Sequence, residues 1–244
     1  MTDHEMLQEM IAGKKNLPIA LDPARTALVI IDVQRFFTRP ESDFAKVHNI
    51  LKPGVINGYL GRVQTVLARI RELQQSFRGL QLPVTFCAVG SDTGDSRDMP
   101  CWLKDFDELA LRLIGHRANP VVNDWSWQMD DSVAPLPGEL VVNKKSSGAL
   151  ASTKLDQILH NMGINSVVVC GLTTAICVGQ TARELADRGF RAVIANDACT
   201  EISPEMHEAA LLSFCHVFGQ SRETREIVAF LQAAVETPLA AAKA

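Results

Sequence analysis

The chain has no surplus of positive charge. Its 24 lysines and arginines are outnumbered by 28 aspartates and glutamates, a formal net charge of −4. A protein that neutralises a phosphate backbone needs a basic face, so nucleic acid is not an expected partner. The sequence also lacks any C-x-x-C pair. Its six cysteines, Cys87, Cys101, Cys170, Cys177, Cys199 and Cys215, are irregularly spaced over 244 residues. Disulfide frameworks suit small secreted chains. The six histidines form no ligand-spaced cluster with the cysteines, so neither a disulfide scaffold nor a metal site is expected. Most of the cysteines are expected as buried apolar residues in a reducing compartment. No apolar signal region follows Met1, since the segment to Lys15 is polar and acidic. No apolar run reaches the length of a membrane span. The expectation is a cytoplasmic protein with no membrane partner.

What is present suits one hydrophobic core: 47% of residues are apolar and 21% charged. No internal repeat or interdomain linker is visible. A single domain over 1–244 is expected, with 1–22 as an N-terminal extension and 237–244 as a loose tail. Short apolar runs read as strands at Thr26–Ile31, Leu82–Val89, Glu139–Asn143, Ser166–Cys170 and Arg191–Ala195, with a sixth near His216–Phe218. Helical spacing appears at Leu60, Val63, Val66, Leu67, Ile70 and Leu73, within about 56–77. Further helices are expected over Leu103–Ile114, Thr153–Met162, Ile176–Arg188, from Pro204 through Leu212, and over Arg222–Val235. Strands alternating with helices imply an α/β fold, a Rossmann-like three-layer α/β/α sandwich with a parallel sheet of about six strands.

In such sheets the site lies beyond the carboxyl ends of the strands. Asp32 follows the first strand and Lys144 follows the third. After the fourth comes Gly171-Leu172-Thr173-Thr174-Ala175-Ile176-Cys177, a turn leading into a helix. Taken singly, these are a helix cap, a solvated charge and a buried cysteine. Their joint placement at three strand ends points to chemistry. The start of a helix favours a thiolate, and a neighbouring ammonium lowers a thiol pKa. Asp32 can accept the thiol proton and pass it to a leaving amine.

These segments resemble the isochorismatase-like cysteine hydrolase superfamily, whose members include nicotinamidases, N-carbamoylsarcosine amidohydrolase, and biuret and ureidoacrylate hydrolases. The resemblance covers roughly Pro23 to Phe230. Its motifs are Ile30-Ile31-Asp32-Val33-Gln34; Val141-Val142-Asn143-Lys144 followed by Gly148-Ala149-Leu150 and Thr153; Gly171 through Val178 with Thr181-Ala182-Arg183 behind it; and Asn196-Asp197-Ala198-Cys199. The resemblance implies a cofactor-free amidohydrolase of small amide, carbamoyl or ureido substrates, with Asp32, Lys144 and Cys177 as the catalytic set and a thioester intermediate. Lys145 competes for the lysine role. The family's threonine, nine residues after its lysine, matches Thr153 counted from Lys144, and alternation turns Lys145 the other way. The resemblance further implies a cis peptide at Leu172–Thr173, an oxyanion hole from the N–H groups of Thr173 and Cys177, and a homodimer or homotetramer.

The chain departs from many relatives at Arg35-Phe36-Phe37 and at Gly148-Ala149-Leu150, both near the expected pocket. Gly90–Pro100 holds no histidine, so the metal motif of nicotinamidases is absent. Gln34, Arg35, Phe37, Trp102, Trp125 and Trp127 are the expected substrate-binding residues, with Arg39 a further candidate, since arginine can clamp a carboxylate. Part of Gly90–Trp127 is expected to close over the site. Two other readings stay open: a vinyl-ether hydrolase like isochorismatase, and a catalytically silent binding relative.

Overall fold

The computed structural model describes residues 2–241, apart from the side chains of residues 3, 4, 10, 12, 14, 15 and 235–241. Six strands form one all-parallel sheet: β1 (Thr26–Ile31), β2 (Val84–Val89), β3 (Leu140–Lys144), β4 (Ser166–Leu172), β5 (Arg191–Thr200) and β6 (Gln220–Arg222), in the order β3-β2-β1-β4-β5-β6. β1, β2 and β4 are buried along their whole lengths. This is why they read as unbroken apolar runs rather than as alternating ones. Nine α-helices are described: α1 (Asp3–Lys15), α2 (Arg35–Thr38), α3 (Asp43–Leu51), α4 (Val55–Gly79), α5 (Cys101–Ile114), α6 (Leu155–Asn161), α7 (Gly179–Asp187), α8 (Pro204–Val217) and α9 (Thr224–Ala241). None of them is long and apolar enough to cross a membrane.

α4 buries Ile56, Tyr59, Val63, Val66, Leu67, Ile70, Leu73 and Phe77. That is the three- and four-residue spacing of a stripe facing the core. α8 opens with Pro204 in its first turn after Ser203, whose hydroxyl accepts from Met206 N.

Four expectations on element bounds are corrected. β5 continues past Ala195 to Thr200, so Asn196-Asp197-Ala198-Cys199 lies inside a strand with a register shift against β4. The sixth strand is Gln220–Arg222, because α8 runs on through His216 to Val217. α9 passes Val235 and reaches Ala241, and 242–244 lie outside the described residues. Finally, 35–51 and 3–15 hold helices that no periodicity had suggested.

The strand order sets the position of the site. From β1 the chain builds outward through β2 to β3, then returns to place β4 on the other side of β1. The switch point of the sheet therefore lies between the carboxyl ends of β1 and β4, where α/β sheets open a crevice.

Candidate active site

Asp32 and the cysteine turn flank this switch point. Asp32 leaves β1 with φ +49°, a left-handed conformation that Asp tolerates better than most residues. Its N–H donates to Cys87 O at 2.8 Å. Opposite, Gly171 pairs with Ile31 and has φ +122°. A Cβ there would sit 2.1 Å from Ile31 O, so only glycine allows β4 to approach β1 this closely. The Leu172–Thr173 peptide is cis. Cys177 lies in a π-helical turn, Thr174–Val178, that precedes α7. The expected helix start at Ile176 is therefore a wider turn, a form often found at functional sites.

Lys144, the last residue of β3, reaches into the same place. Its Nζ stands 2.8 Å from Asp32 Oδ2 and 3.4 Å from Cys177 Sγ, and donates to Ser146 O at 2.8 Å. Lys144 and Asp32 are fully buried, and Cys177 is 6% exposed. Lys145 points the other way, as alternation requires. Its Nζ holds Gly90 O at 2.6 Å, Asp92 Oδ2 at 2.9 Å and Asp98 Oδ2 at 3.0 Å, fastening the loop after β2.

Burial dominates the electrostatics. It pushes Asp32 above the ordinary 3.8 of an aspartate, against the pull of Lys144 and Cys177. It also pushes the Cys177 thiol above its ordinary 9.0, with Lys144 pulling down and Asp32 pushing up. For Lys144 burial opposes the charge, but Asp32 and the Cys177 sulfur outweigh it and hold the ammonium above its ordinary 10.5. Lys144 pulls the thiol down as expected, but burial outweighs that pull and the net direction is upward. A buried sulfur beside a carboxylate is pushed toward its protonated form.

Residues beyond the three strand ends hold the turn in place. Glu201 Oε2 accepts from Ala175 N at 2.9 Å, and its other oxygen accepts from Ile202 N at 2.9 Å. Arg62 in turn donates to the carbonyls of Glu201 and Ile202 at 2.9 and 2.8 Å. Thr174 Oγ1 lies 2.7 Å from His207 Nδ1. Thr181 and Glu184 on α7 accept from Ala149 N and Leu150 N at 3.1 and 2.8 Å. A Cβ on Gly148 would strike the Glu184 carboxylate. The Gly148-Ala149-Leu150 segment is thus the seam that docks the loop after Lys144 onto the cysteine helix. Glu201 escaped the sequence reading, and its one signal is position, immediately beyond the motif-bearing fifth strand.

Cys177 and Thr173 line a cavity of about 260 Å³. Phe36, Phe37, Met99, Trp102, Leu103 and Phe106 form much of its wall. The excursion after β2 therefore supplies a large part of that wall, through Met99, α5 and Pro120. A larger cavity, about 380 Å³, lies among Ile11, His207, Leu211 and Cys215 and touches none of the three strand-end residues.

Five of the expected substrate-binding residues, Gln34, Arg35, Arg39, Trp125 and Trp127, do not line the 260 Å³ cavity. Gln34 is buried with both ends of its amide engaged: Nε2 donates to Val89 O and Trp127 O, and Oε1 accepts from Val89 N, all at 2.9 Å. It brackets β1 to β2. Arg35 pairs with Asp131 and Gln128 and lies over the Trp125 ring at 5.8 Å. Trp127 packs on Gly90 and donates Nε1–H to Asn143 Oδ1 at 2.8 Å. Arg39 is held by Asp130 and Asp131, each at 3.1 Å. Only Phe37 and Trp102 of that set face the cavity. Among the described residues no group of three or more His, Cys, Asp or Glu side chains is gathered as metal ligands.

The Isochorismatase domain model matches residues 26–226, most of the chain. The protein belongs to the isochorismatase family. Ureidoacrylate amidohydrolase RutB of Methylobacterium radiotolerans is 29% identical, over 83% of this chain and 78% of its own. N-carbamoylsarcosine amidase of an Arthrobacter species is 25% identical, over 86% and 72%. The isochorismatase family protein YwoC of Bacillus subtilis is 35% identical, over 85% and 95%. Among solved structures, a cysteine hydrolase from Pseudomonas syringae shares the fold with a TM-score of 0.72 at 20% identity, over 90% of this chain and 99% of that one. The α/β fold is shared with that solved structure, and the hydrolase assignment comes with the family.

Proposed function

We propose that this family member is a cysteine amidohydrolase that cleaves the C–N bond of a small amide, carbamoyl or ureido compound through a thioester on Cys177. One observation carries the reading: a buried Lys144 ammonium contacts both the Asp32 carboxylate and the Cys177 sulfur, and Cys177 lines a cavity of substrate size. The names of two relatives, an ureidoacrylate amidohydrolase and an N-carbamoylsarcosine amidase, point to the same bond.

Asp32 takes the thiol proton as Sγ attacks the carbonyl carbon, so no free thiolate is needed at rest. The developing oxyanion is assigned to the N–H groups of Thr173 and Cys177. The C–N bond breaks as Asp32 returns the proton to the leaving nitrogen. Asp32 then accepts a proton from water, whose oxygen attacks the thioester. The S–C bond breaks and the proton returns to sulfur. Lys144 keeps its charge throughout and offsets the negative charge that passes between oxygen and sulfur.

The test is ammonia or amine release from a panel of carboxamides, carbamoyl compounds and ureides, with a vinyl ether alongside. Turnover of a C–N substrate is expected. Its acid limb in kcat/KM lies above the 3.8 of an ordinary aspartate, because activity is lost as Asp32 takes up a proton. Vinyl-ether cleavage with no C–N turnover would contradict the reading, and an acid limb at or below 3.8 would remove Asp32 as the base.

A further inference from the structure

The charge distribution of the cavity narrows the substrate class. Its wall is mostly aromatic and aliphatic, and no lysine or arginine belongs to it. The one carboxylate in the wall is Glu201, 1% exposed and engaged by Ala175 N and Ile202 N. Nearby cations are committed elsewhere. Lys144 is fully buried against Asp32, outside the wall, Arg35 and Arg39 are held by Asp131 and Asp130, and Arg62, also outside the wall, is engaged by the carbonyls of Glu201 and Ile202. His48 is the one base in the wall. Its Nδ1 lies 2.8 Å from Phe44 O, which can only accept, so that nitrogen carries a proton. In the neutral ring Nε2 is then an acceptor, which is no partner for a carboxylate.

We infer that the group carried to Cys177 is apolar and uncharged, so that the preferred substrate is an aliphatic or aromatic carboxamide rather than an amide bearing a carboxylate. The inference rests on the amidohydrolase reading and departs from the relatives, whose names denote an acrylate and a sarcosine. Two physical arguments carry it. A carboxylate moved into this wall would lose its water, find no cation and meet the negative Glu201. An apolar group would gain by leaving water for the Phe37, Met99 and Leu103 surfaces. Size agrees, since an apolar cavity of about 150 Å³ already takes up benzene. The 260 Å³ here leaves room for a carboxamide beside a group of that size.

The experiment compares 5-methylhexanamide with glutaramate, in which a carboxylate replaces the isopropyl end, and adds phenylacetamide. At about pH 8.5, kcat/KM for 5-methylhexanamide and phenylacetamide is expected to exceed that for glutaramate by about a hundredfold or more. Trp102→Lys, at the exposed part of the wall, should shrink that ratio by roughly fivefold to tenfold. Glutaramate as the better substrate would overturn the inference. Calorimetry on Cys177→Ala protein separates this outcome from failure of the chemistry. If no carboxamide, carbamoyl compound or ureide is hydrolysed, the amidohydrolase reading falls, yet tighter binding of 5-methylhexanamide than of glutaramate still upholds the apolar pocket. Equal binding, tighter glutaramate or no binding of either overturns it.

Discussion

Replacing Cys177 by alanine should lower kcat by about 10⁴ or more, with the melting temperature within a few degrees of the parent. Serine at this position should do nearly as badly. The sulfur is 6% exposed at the cavity wall, and its removal leaves the Lys144–Asp32 pair intact. Activity and stability therefore separate. A hydroxyl in place of the thiol is a poorer nucleophile, because Asp32 is too weak a base to remove its proton. Steady-state kinetics and thermal denaturation on the same preparations check both halves. A serine variant with parental turnover would place the nucleophile elsewhere.

The second large effect is a contrast between adjacent lysines. Lys144→Met should cost about 3–5 kcal/mol of stability, because it strands a buried carboxylate, and should reduce kcat by about 10² to 10³. Lys145→Met should cost less than about 1 kcal/mol, since of its partners Asp92 is exposed and Asp98 only half-buried. The pH dependence of the first variant gives a sign that can be checked. Without the ammonium the largest pull against burial is lost and only hydrogen bonds from Cys177 and Val89 oppose it, so the folded-state pKa of Asp32 rises further above the unfolded 3.8. A group raised in this way favours folding most when protonated. The variant should be most stable below about 3.8, relative to the parent, and lose that gain as pH rises through the raised value. Chemical denaturation across pH reads this directly, and equal losses for the two lysines would mean that the roles are shared.

Some of this was legible in the residues because strand ends are. Asp32, Lys144 and Cys177 each follow an apolar run of strand length, and a parallel sheet brings such ends to one edge. The choice of Lys144 over Lys145 needed only the two-residue alternation of extended chain. The pocket was harder. Gln34 and Arg35 sit beside Asp32 in sequence and Trp127 lies in the excursion after β2, but their hydrogen bonds run to Val89, Asp131 and Asn143. Neighbourhood in sequence does not reveal which way such side chains turn. α2 and α3 had no visible period, since they are short and packed through Phe36 and Phe44 rather than along a regular stripe. The direction of the Cys177 shift depends on how completely the turn is buried, and pattern alone does not report that. Glu201 lies on no motif, and its clamp on Ala175 exists only once β5 extends to Thr200.

The covalent step is the centre of the account. Acid quenching during turnover of the best amide substrate, followed by peptide mass spectrometry, should find the acyl group on Cys177. Hydroxylamine present during turnover should divert that acyl group to a hydroxamate in competition with water. Turnover with Cys177 unmodified in every quench and no hydroxamate formed would contradict the thioester, and with it the role given to the buried Asp32–Lys144–Cys177 cluster.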